Sequence, residues 1–228
     1  NTLLDALFGA ELTRIPTASY QADLDGHLAA AAELQRARGR TPLVIPTGGS
    51  NGLGLWGYVA GSQELMGDLD RQGIAEATVV CATGSGGTQA GLTLGFDGTD
   101  GRIDVVGVAV CDNAAWFNNK VQADIAEARC VHEAIPELRH GPQTIDDHIG
   151  PGYGMAGTAI YALINELAAL EGLVLDPVYT GKAFYGMVDT LAKGALSDKD
   201  DIVFVHTGGI FGLFPHYQHL QHLVLDPK

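Results

Sequence analysis

The sequence predicts an α/β fold in which helices cover both faces of a parallel, twisted β-sheet. Short apolar runs that favour strands alternate along most of the chain with longer segments that favour helices. Glycine-rich turns join several of these segments, as is usual for the connections between strands and helices in such sheets. Glycine therefore marks the ends of elements and not a low-complexity region.

Helical segments predominate in the first third of the chain. The predicted elements are, in order, a helix over 3–8, an extended segment over 11–15, a long helix over 24–38, a short strand over 42–45 and a glycine-rich run over 52–61 that continues as a helix to residue 69. Gly39 follows the long helix, at a position where glycine commonly ends one.

The remaining chain contains the most apolar runs. Its predicted elements are a strand over 75–83 followed by glycines and a helix, a strand over 103–110, helices over 118–134, 155–171 and 183–193, and a buried strand over 202–206. The polar segment 136–154 is predicted to cross the surface or to cover a site.

The composition indicates a soluble globular protein. With 228 residues, 46% hydrophobic and 18% charged, the chain can bury a full core as one large domain or two small ones. Its net charge of −14, from 27 acidic and 13 basic residues, argues against nucleic-acid or anionic-membrane partners. The three cysteines have unrelated spacings, and the sequence shows neither an export signal nor an apolar run of roughly 20 residues. Together these observations predict a cytoplasmic location. Cys81 and Cys111 are predicted to be small buried hydrophobes.

The turn after the strand over 75–83 is the strongest functional signal. It leads into a helix and consists of Gly84, Ser85, Gly86, Gly87 and Thr88. Backbone N–H groups at a helix start converge on one place and favour an anion, and hydroxyl groups add donors. Gln89 stands where a dinucleotide fingerprint needs glycine, and no lysine follows as in a nucleotide-triphosphate loop. The turn predicts a phosphate site, with a plain strand-to-helix turn as the open alternative.

Three further loops have a similar design. They are rich in glycine and hydroxyl side chains, each lies next to a predicted strand or helix, and they occupy residues 45–54, 176–182 and 206–209. The carboxyl ends of parallel strands share one edge of a sheet, where ligands bind. We therefore expect the four loops to converge on one site.

These loops carry a family resemblance. The stretches IPTGGSNGLGLWGYV, ATGSGGTQAGL, LEGLVLDPVYTGKA and VHTGG occur in this order along the chain. Together they resemble the D-cysteine desulfhydrase and 1-aminocyclopropane-1-carboxylate deaminase family, pyridoxal-phosphate enzymes of the tryptophan-synthase β-like fold (fold type II). The resemblance covers nearly the whole chain and is weakest over 113–149.

The resemblance implies roles for individual residues. The turn from Gly84 to Thr88 matches the cradle for the phosphate of pyridoxal 5'-phosphate, in agreement with the interpretation of the turn itself. Tyr153 and Tyr179 match the two active-site tyrosines of the family. Thr207 matches the position that hydrogen-bonds the pyridine nitrogen, where a neutral hydroxyl leaves that nitrogen less protonated than an acid would. No metal is implied.

The resemblance also implies a reaction. Thr180 and Thr207 look like the desulfhydrase branch, which points to α,β-elimination of D-cysteine or a related β-substituted alanine to pyruvate, ammonia and sulfide. Three alternatives stay open: 1-aminocyclopropane-1-carboxylate deaminase, L-cysteate sulfo-lyase, and an inactive or fragmentary relative that only binds a phosphorylated ligand. A small amino acid is the implied substrate, and a homodimer the implied assembly.

One departure from the family concerns lysine. The family's cofactor-binding lysine lies upstream of the motif that LLDALFGAEL resembles, and this sequence begins at that motif. We therefore expect an N-terminally incomplete enzyme, or a truncated relative, that does not turn over unaided. Residues 1–48 are then the remainder of a small α/β domain, and 49–228 a large cofactor-binding domain. Lys182 is interpreted as a charged residue that opens a helix, not as a substitute for the missing lysine.

Histidines recur in the C-terminal tail. His216, His219 and His222 are spaced three apart, but cysteine and carboxylate ligands are missing at suitable spacing. The tail is therefore predicted to be a packed terminal segment and not a metal site. His206 ends a predicted strand and is interpreted as a structural histidine.

Overall fold

The computed structural model describes residues 2–132 and 135–221. The chain divides into two units, residues 1–46 and residues 47–228. In the first unit, the helices are α1, Thr2–Leu7, and α2, Thr17–Ala37, which is interrupted at Asp23 by non-helical backbone angles. The short strand expected over 42–45 joins no sheet in the described residues, so this prediction is wrong, whereas residues 11–15, predicted to be extended, lie outside helices and strands. A short extended segment needs a neighbouring strand to pair with.

The second unit is built on a four-stranded sheet. Its strands are β1, Ala77–Thr83; β2, Ile103–Ala109; β3, Gln143–Ile145; and β4, Ile202–Val205. They are all parallel and lie in the order β3-β2-β1-β4. In the central strand, Val79 pairs with Val105 on one side and with Val203 on the other. The predicted parallel α/β architecture is confirmed.

Helices connect and cover these strands. They are α3, Trp56–Gln72; α4, Gly87–Phe96; α5, Ala114–Val131; α6, Thr158–Glu171; α7, Thr180–Ala192; and α8, Tyr217–Leu220. Short 3-10 turns occupy Thr47–Gly49, Asp97–Thr99, Ile210–Gly212 and Phe214–His216. Among the described residues, no helix is long and apolar enough to cross a lipid bilayer.

The core lies on both faces of the sheet. Val79 and Cys81 of β1 pack in one cluster with Leu92 of α4, whereas Val80 packs on the opposite face with Met187 of α7. Every residue of β1 is buried, which is typical of a parallel strand covered by helices on both sides. Burying one such Val or Leu side chain contributes about 1.5–3 kcal/mol, so these clusters hold the sheet and helices together.

Both cysteines were predicted to be buried, but the structure buries them to different extents. Cys81 is fully buried in β1, and burial raises the pKa of its thiol to about 12. Cys111 follows β2 and is only half-buried, with its Sγ 3.5 Å from the carbonyl oxygen of Gly84, so it packs at the margin of the core beside the turn after β1.

Strand β3 was not expected from the sequence. It lies inside the polar segment 136–154 and consists of three residues, all of which pair with β2. Gln89, fully buried on α4, holds this edge strand, since its Nε2 donates to the carbonyl oxygen of Gln143 and to Oγ1 of Thr144, each at 2.9 Å. A pairing that depends on a side chain 54 residues away leaves no local pattern to read.

Candidate active site

The turn between β1 and α4 forms the predicted cradle. Gly86 is the N-cap of α4 and has a φ of 95°, a left-handed conformation that glycine adopts without strain. The N–H of Gly87 donates to Oγ of Ser50 at 3.0 Å, and this hydroxyl donates in turn to Oγ of Ser85 at 2.8 Å. The loop around Ser50 therefore lies against the cradle, so two of the four expected loops meet.

The cradle offers donors to an anion. The backbone N–H groups of Thr88 and Gln89 lie in the first turn of α4, where the helix supplies no carbonyl acceptor. The positive end of the helix dipole and the hydroxyl groups of Ser85 and Thr88 lie at the same place. This arrangement suits a phosphate.

A partly buried ion pair lies next to the cradle. Nζ of Lys120, on α5, is 2.5 and 2.6 Å from the two carboxylate oxygens of Asp124 and donates to the carbonyl oxygen of Ser50 at 3.2 Å. Burial raises the pKa of Asp124, and the Lys120 ammonium opposes that shift. Asp124 neutralises the charge of Lys120. We therefore assign Lys120 to support of the Ser50 loop, whose carbonyl oxygen accepts its hydrogen bond.

The two predicted tyrosines contact each other beside the cradle. Their phenol groups form a hydrogen bond, and their rings meet edge to face with centroids 5.8 Å apart. A Cβ atom placed on Gly84 would lie 2.9 Å from Cε1 of Tyr179, so the Tyr179 ring rests on the turn. Burial, followed by the hydrogen bond to Tyr153, raises the pKa of Tyr179, so its phenol is protonated at neutral pH.

The start of α7 is organised by Asp176. Its carboxylate is buried and accepts the backbone N–H groups of Val178, Tyr179 and Thr180 at 2.8–2.9 Å. The hydroxyl of Thr180 donates to Asp176 at 2.7 Å and accepts the N–H of Asp176 at 3.0 Å. These bonds fix the backbone that carries Tyr179. Neither role was expected from the sequence, although an aspartate side chain often accepts the backbone N–H two residues further on, as Asp176 does from Val178.

The loop after β4 approaches the same turn. A Cβ atom on Gly209, whose φ is 88°, would lie 2.7 Å from Oδ1 of Asp176. His206 accepts the N–H of Gly208 at Nδ1 and lies 3.0 Å from the carbonyl oxygen of Val174 at Nε2, so its ring holds this loop. Thr207 is exposed on the loop, which follows the strand next to β1 in the sheet.

Lys182 differs from its sequence interpretation. It lies in the first turn of α7, as expected, but its side chain is only 1% exposed. Nζ donates to the carbonyl oxygens of Val110, Ile149 and Gly152 at 3.2, 2.8 and 2.8 Å. An ammonium has three N–H donors and all are engaged, so this nitrogen presents no lone pair to a carbonyl group. Lys182 is an internal support and not a surface charge.

The C-terminal histidines pack on Tyr161. Its hydroxyl lies 2.7 Å from Nδ1 of His216, and its ring stacks on that of His219 with centroids 4.6 Å apart. His222 lies outside the described residues. Within residues 2–132 and 135–221, no group of three histidine, cysteine or carboxylate side chains is arranged to hold a metal ion. The predicted packed segment is observed for the two described histidines.

Comparison with protein families gives one match over most of the chain. The family described as "Pyridoxal-phosphate dependent enzyme" matches residues 1–208. These residues include the cradle, both tyrosines and the loop after β4.

Two curated relatives illustrate the sequence similarity. The putative 1-aminocyclopropane-1-carboxylate deaminase of Thermotoga maritima is 37% identical over 225 residues, which are 96% of this chain and 68% of that protein. The D-cysteine desulfhydrase of Klebsiella pneumoniae is 37% identical over 222 residues, which are 96% of this chain and 65% of that protein. The chain therefore spans about two thirds of the length of these relatives.

Solved structures have the same fold. The crystal structure of an ACC deaminase homologue superimposes with a TM-score of 0.82 at 36% identity, covering 96% of this chain and 65% of that one. A bacterial threonine deaminase gives a TM-score of 0.54 at 19% identity, covering 89% of this chain and 64% of that one, a likeness of fold alone.

Proposed function

Because the chain belongs to the family of pyridoxal-phosphate dependent enzymes, we propose that it acts in α,β-elimination of D-cysteine or a related β-substituted alanine. With D-cysteine, the amino acid and one water give pyruvate, ammonia and hydrogen sulfide. The observation that carries this proposal is the hydrogen-bonded pair of Tyr153 and Tyr179 beside the cradle. A relative named D-cysteine desulfhydrase, 37% identical, supports the substrate.

The residues present fit the cofactor. Its phosphate is a dianion, and the cradle combines a helix start, three glycines and the hydroxyl groups of Ser85 and Thr88. We assign the phosphate to Gly84–Thr88 and the pyridine nitrogen to Thr207, on the loop that follows the neighbouring strand. Residues 49–228 are thereby assigned to cofactor binding. When bound, pyridoxal phosphate supplies an electron sink for negative charge at the substrate Cα.

The tyrosine pair supplies proton transfer. Tyr179 is a neutral phenol at pH 7 that can donate a proton to the sulfur that leaves Cβ, and the Tyr153 phenol in contact with it can return one. The Asp176 turn holds the Tyr179 backbone, so the phenol needs little reorganisation during the reaction. In this assignment both tyrosines are catalytic residues.

The test is product analysis with competing substrates. Pyridoxal phosphate and the lysine-bearing N-terminal segment of a family member are added to the purified protein, which is incubated separately with D-cysteine, L-cysteine and L-cysteate while pyruvate, sulfide and sulfite are measured. We expect pyruvate and sulfide in equal amounts from D-cysteine. No pyruvate from D-cysteine would contradict the proposed substrate, and pyruvate with sulfite would identify a sulfo-lyase.

The alternative reaction is deamination of 1-aminocyclopropane-1-carboxylate. It is favoured by the relatives from Thermotoga maritima and Pyrococcus horikoshii, which are named putative deaminases of this substrate and are 37% and 39% identical. Its product is 2-oxobutyrate, which is measured and distinguished from pyruvate when a further incubation with 1-aminocyclopropane-1-carboxylate is added to the assay. Formation of 2-oxobutyrate at a higher rate than pyruvate would replace the first proposal by this one.

Covalent attachment of the cofactor needs a separate measurement. The sequence resemblance assigns it to a lysine that none of Lys120, Lys182, Lys193, Lys199 and Lys228 matches. Borohydride reduction followed by intact mass and peptide mapping detects any attachment. Reversible binding without a mass gain is expected, and a gain on one lysine of this chain would contradict that assignment.

A further inference from the structure

The carbonyl contacts of Lys182 join two parts of the candidate active site. One of its acceptors, Val110, follows β2, and the other two, Ile149 and Gly152, lie in the segment that leads directly to Tyr153. Lys182 itself stands three residues after Tyr179, in the same helix start. A single ammonium therefore ties the backbone before one tyrosine to the helix that carries the other.

The segment around Tyr153 has little stiffness of its own. Gly150, Gly152 and Gly154 alternate with Pro151 and Tyr153, and all three glycines have positive φ values of 70°, 142° and 74°. Glycine loses more backbone freedom on ordering than any other residue, so such a segment stays in one conformation only when external contacts hold it. In the described chain, Lys182 supplies two of those contacts.

The ammonium is held by carbonyl groups and not by an ion pair. Among residues 2–132 and 135–221, no carboxylate lies within salt-bridge distance of Lys182, although Asp176 is close enough to favour its charge. Burial lowers the pKa of Lys182, which shows that its charge is partly desolvated. An ammonium so placed is tolerated because all three N–H groups have acceptors.

We propose that Lys182 is a positioning residue whose ammonium fixes residues 149–152 to the start of α7 and so holds the Tyr153 phenol against Tyr179. The catalytic consequence rests on the proposed function, because it needs the tyrosine pair to transfer protons. The structural consequence does not, because ordering of residues 149–153 is measurable without a substrate.

The first experiment is amide hydrogen exchange in Lys182→Met, which keeps a long side chain and removes the charge and the donors. Exchange in peptides that cover residues 149–153 is expected to accelerate at least about tenfold, while β1 stays unchanged. Arg71→Met is the control, since Arg71 lies in an exposed ion pair with Asp68 on α3. Unchanged exchange over 149–153 in Lys182→Met would overturn the proposal.

Chemical rescue tests the charge directly. Lys182→Ala lacks three carbons and the amine, which n-propylammonium supplies, and 1-propanol is the uncharged match. Propylammonium is expected to slow exchange over 149–153 again, and propanol is not. Equal effects of the two compounds, or none from either, would overturn the proposal. Should Lys182→Met fail to fold, Lys182→Ala refolded in propylammonium is used instead, and exchange is followed while the amine is diluted.

Kinetics separates this inference from the proposed function. In Lys182→Ala, kcat with D-cysteine is expected to fall at least about tenfold with a smaller change in KM, and propylammonium is expected to restore kcat. If the unsubstituted protein forms no product, the proposed function fails while the exchange experiments still decide the role of Lys182. A normal kcat in a Lys182→Ala protein with accelerated exchange over 149–153 would overturn the catalytic part alone.

Discussion

At the scale of single residues, the two tyrosines are not equivalent. Tyr179 rests against Gly84 and is partly buried, whereas Tyr153 is 58% exposed and reaches the site from a glycine-rich segment. Burial acts on the phenol of Tyr179 and raises its pKa, so this phenol stays neutral to a higher pH than a solvated tyrosine.

Substitution of Tyr179 tests its assignment as a proton donor. Tyr179→Phe keeps the ring that packs on Gly84 and removes the phenol oxygen, so kcat with the active substrate is expected to fall roughly a hundredfold or more. Tyr217→Phe is a matched control, because it removes an exposed phenol outside the pair. A Tyr179→Phe protein with more than half the normal kcat would contradict the assignment.

The raised pKa of Tyr179 also predicts a titration behaviour. Since the folded protein keeps this phenol neutral to a higher pH than the unfolded chain does, its contribution to stability is complete below pH 10 and is lost as pH rises through the folded pKa. The phenolate absorbance that Tyr179→Phe removes is therefore expected to appear above the ordinary value of 10. Its appearance at or below that value would show that the phenol is not desolvated.

At the scale of elements, the start of α7 depends on one buried carboxylate. Asp176 accepts three backbone N–H groups and the Thr180 hydroxyl, and each of these donors would otherwise be buried or left at the helix end without an acceptor. Thr180 is one of the residues that distinguish the desulfhydrase branch in the family resemblance. Its bonds to Asp176 explain why it is fully buried. Its side chain acts on the site through the backbone of Tyr179.

Removing the Thr180 hydroxyl tests this role. Thr180→Val keeps the volume and loses both bonds to Asp176, so the free energy of unfolding is expected to fall by roughly 1–3 kcal/mol in urea denaturation. Thr190→Val, on the same helix and half-buried, is the control and is expected to change stability by less than about 0.5 kcal/mol. Equal effects of the two substitutions would mean that the Asp176 bonds contribute little.

Helix α4 and strand β2 approach each other closely at Gly107. A Cβ atom on Gly107 would overlap the side-chain amide of Gln89, the group that holds β3. Gly107→Ala is therefore expected to destabilise the protein by about 1–3 kcal/mol in urea denaturation. Adding Gln89→Ala to this variant removes the overlap, so the two substitutions together are expected to cost less than the sum of each alone. A purely additive pair would contradict this packing.

At the scale of the whole molecule, parallel strands collect the site at one edge. The cradle follows β1, Cys111 and the Lys182 contact at Val110 follow β2, and Thr207 follows β4. The predicted fold, that of the fold-type II pyridoxal-phosphate enzymes, is confirmed by the family match and by the two superimposed crystal structures. Functional loops far apart in sequence are adjacent because these strands are neighbours in the sheet.

The pKa of His216 predicts how the free energy of unfolding changes at acid pH. Burial, assisted by the charge of His219, lowers the pKa of His216 below its ordinary 6.5, so the unfolded chain binds this proton more readily. The contribution of His216 to the free energy of unfolding is complete above pH 6.5 and is lost as the pH falls from that value towards the folded pKa. His216→Gln is expected to reduce the loss of unfolding free energy between about pH 7.5 and 5.5. An identical loss in both proteins would contradict this coupling.

The sequence by itself determined the alternation of strands and helices in the second unit and the chemistry of the turn at Gly84–Thr88. These features depend on residues that are neighbours in sequence: apolar runs for buried strands, and glycines with hydroxyl groups before a helix. Short segments were predicted wrongly where strand pairing decides: residues 42–45 pair with no described strand, whereas β3 does pair.

Only the tertiary structure decided which side chains meet. Tyr153 and Tyr179 are 26 residues apart in sequence, and Lys182 reaches carbonyl groups 30, 33 and 72 residues away. Burial of an ammonium, the pKa of a phenol and the support of Ser50 by Lys120 all follow from such distant contacts. Local propensity carries no information about these contacts, because packing of the sheet and helices brings the groups together and removes water from around them.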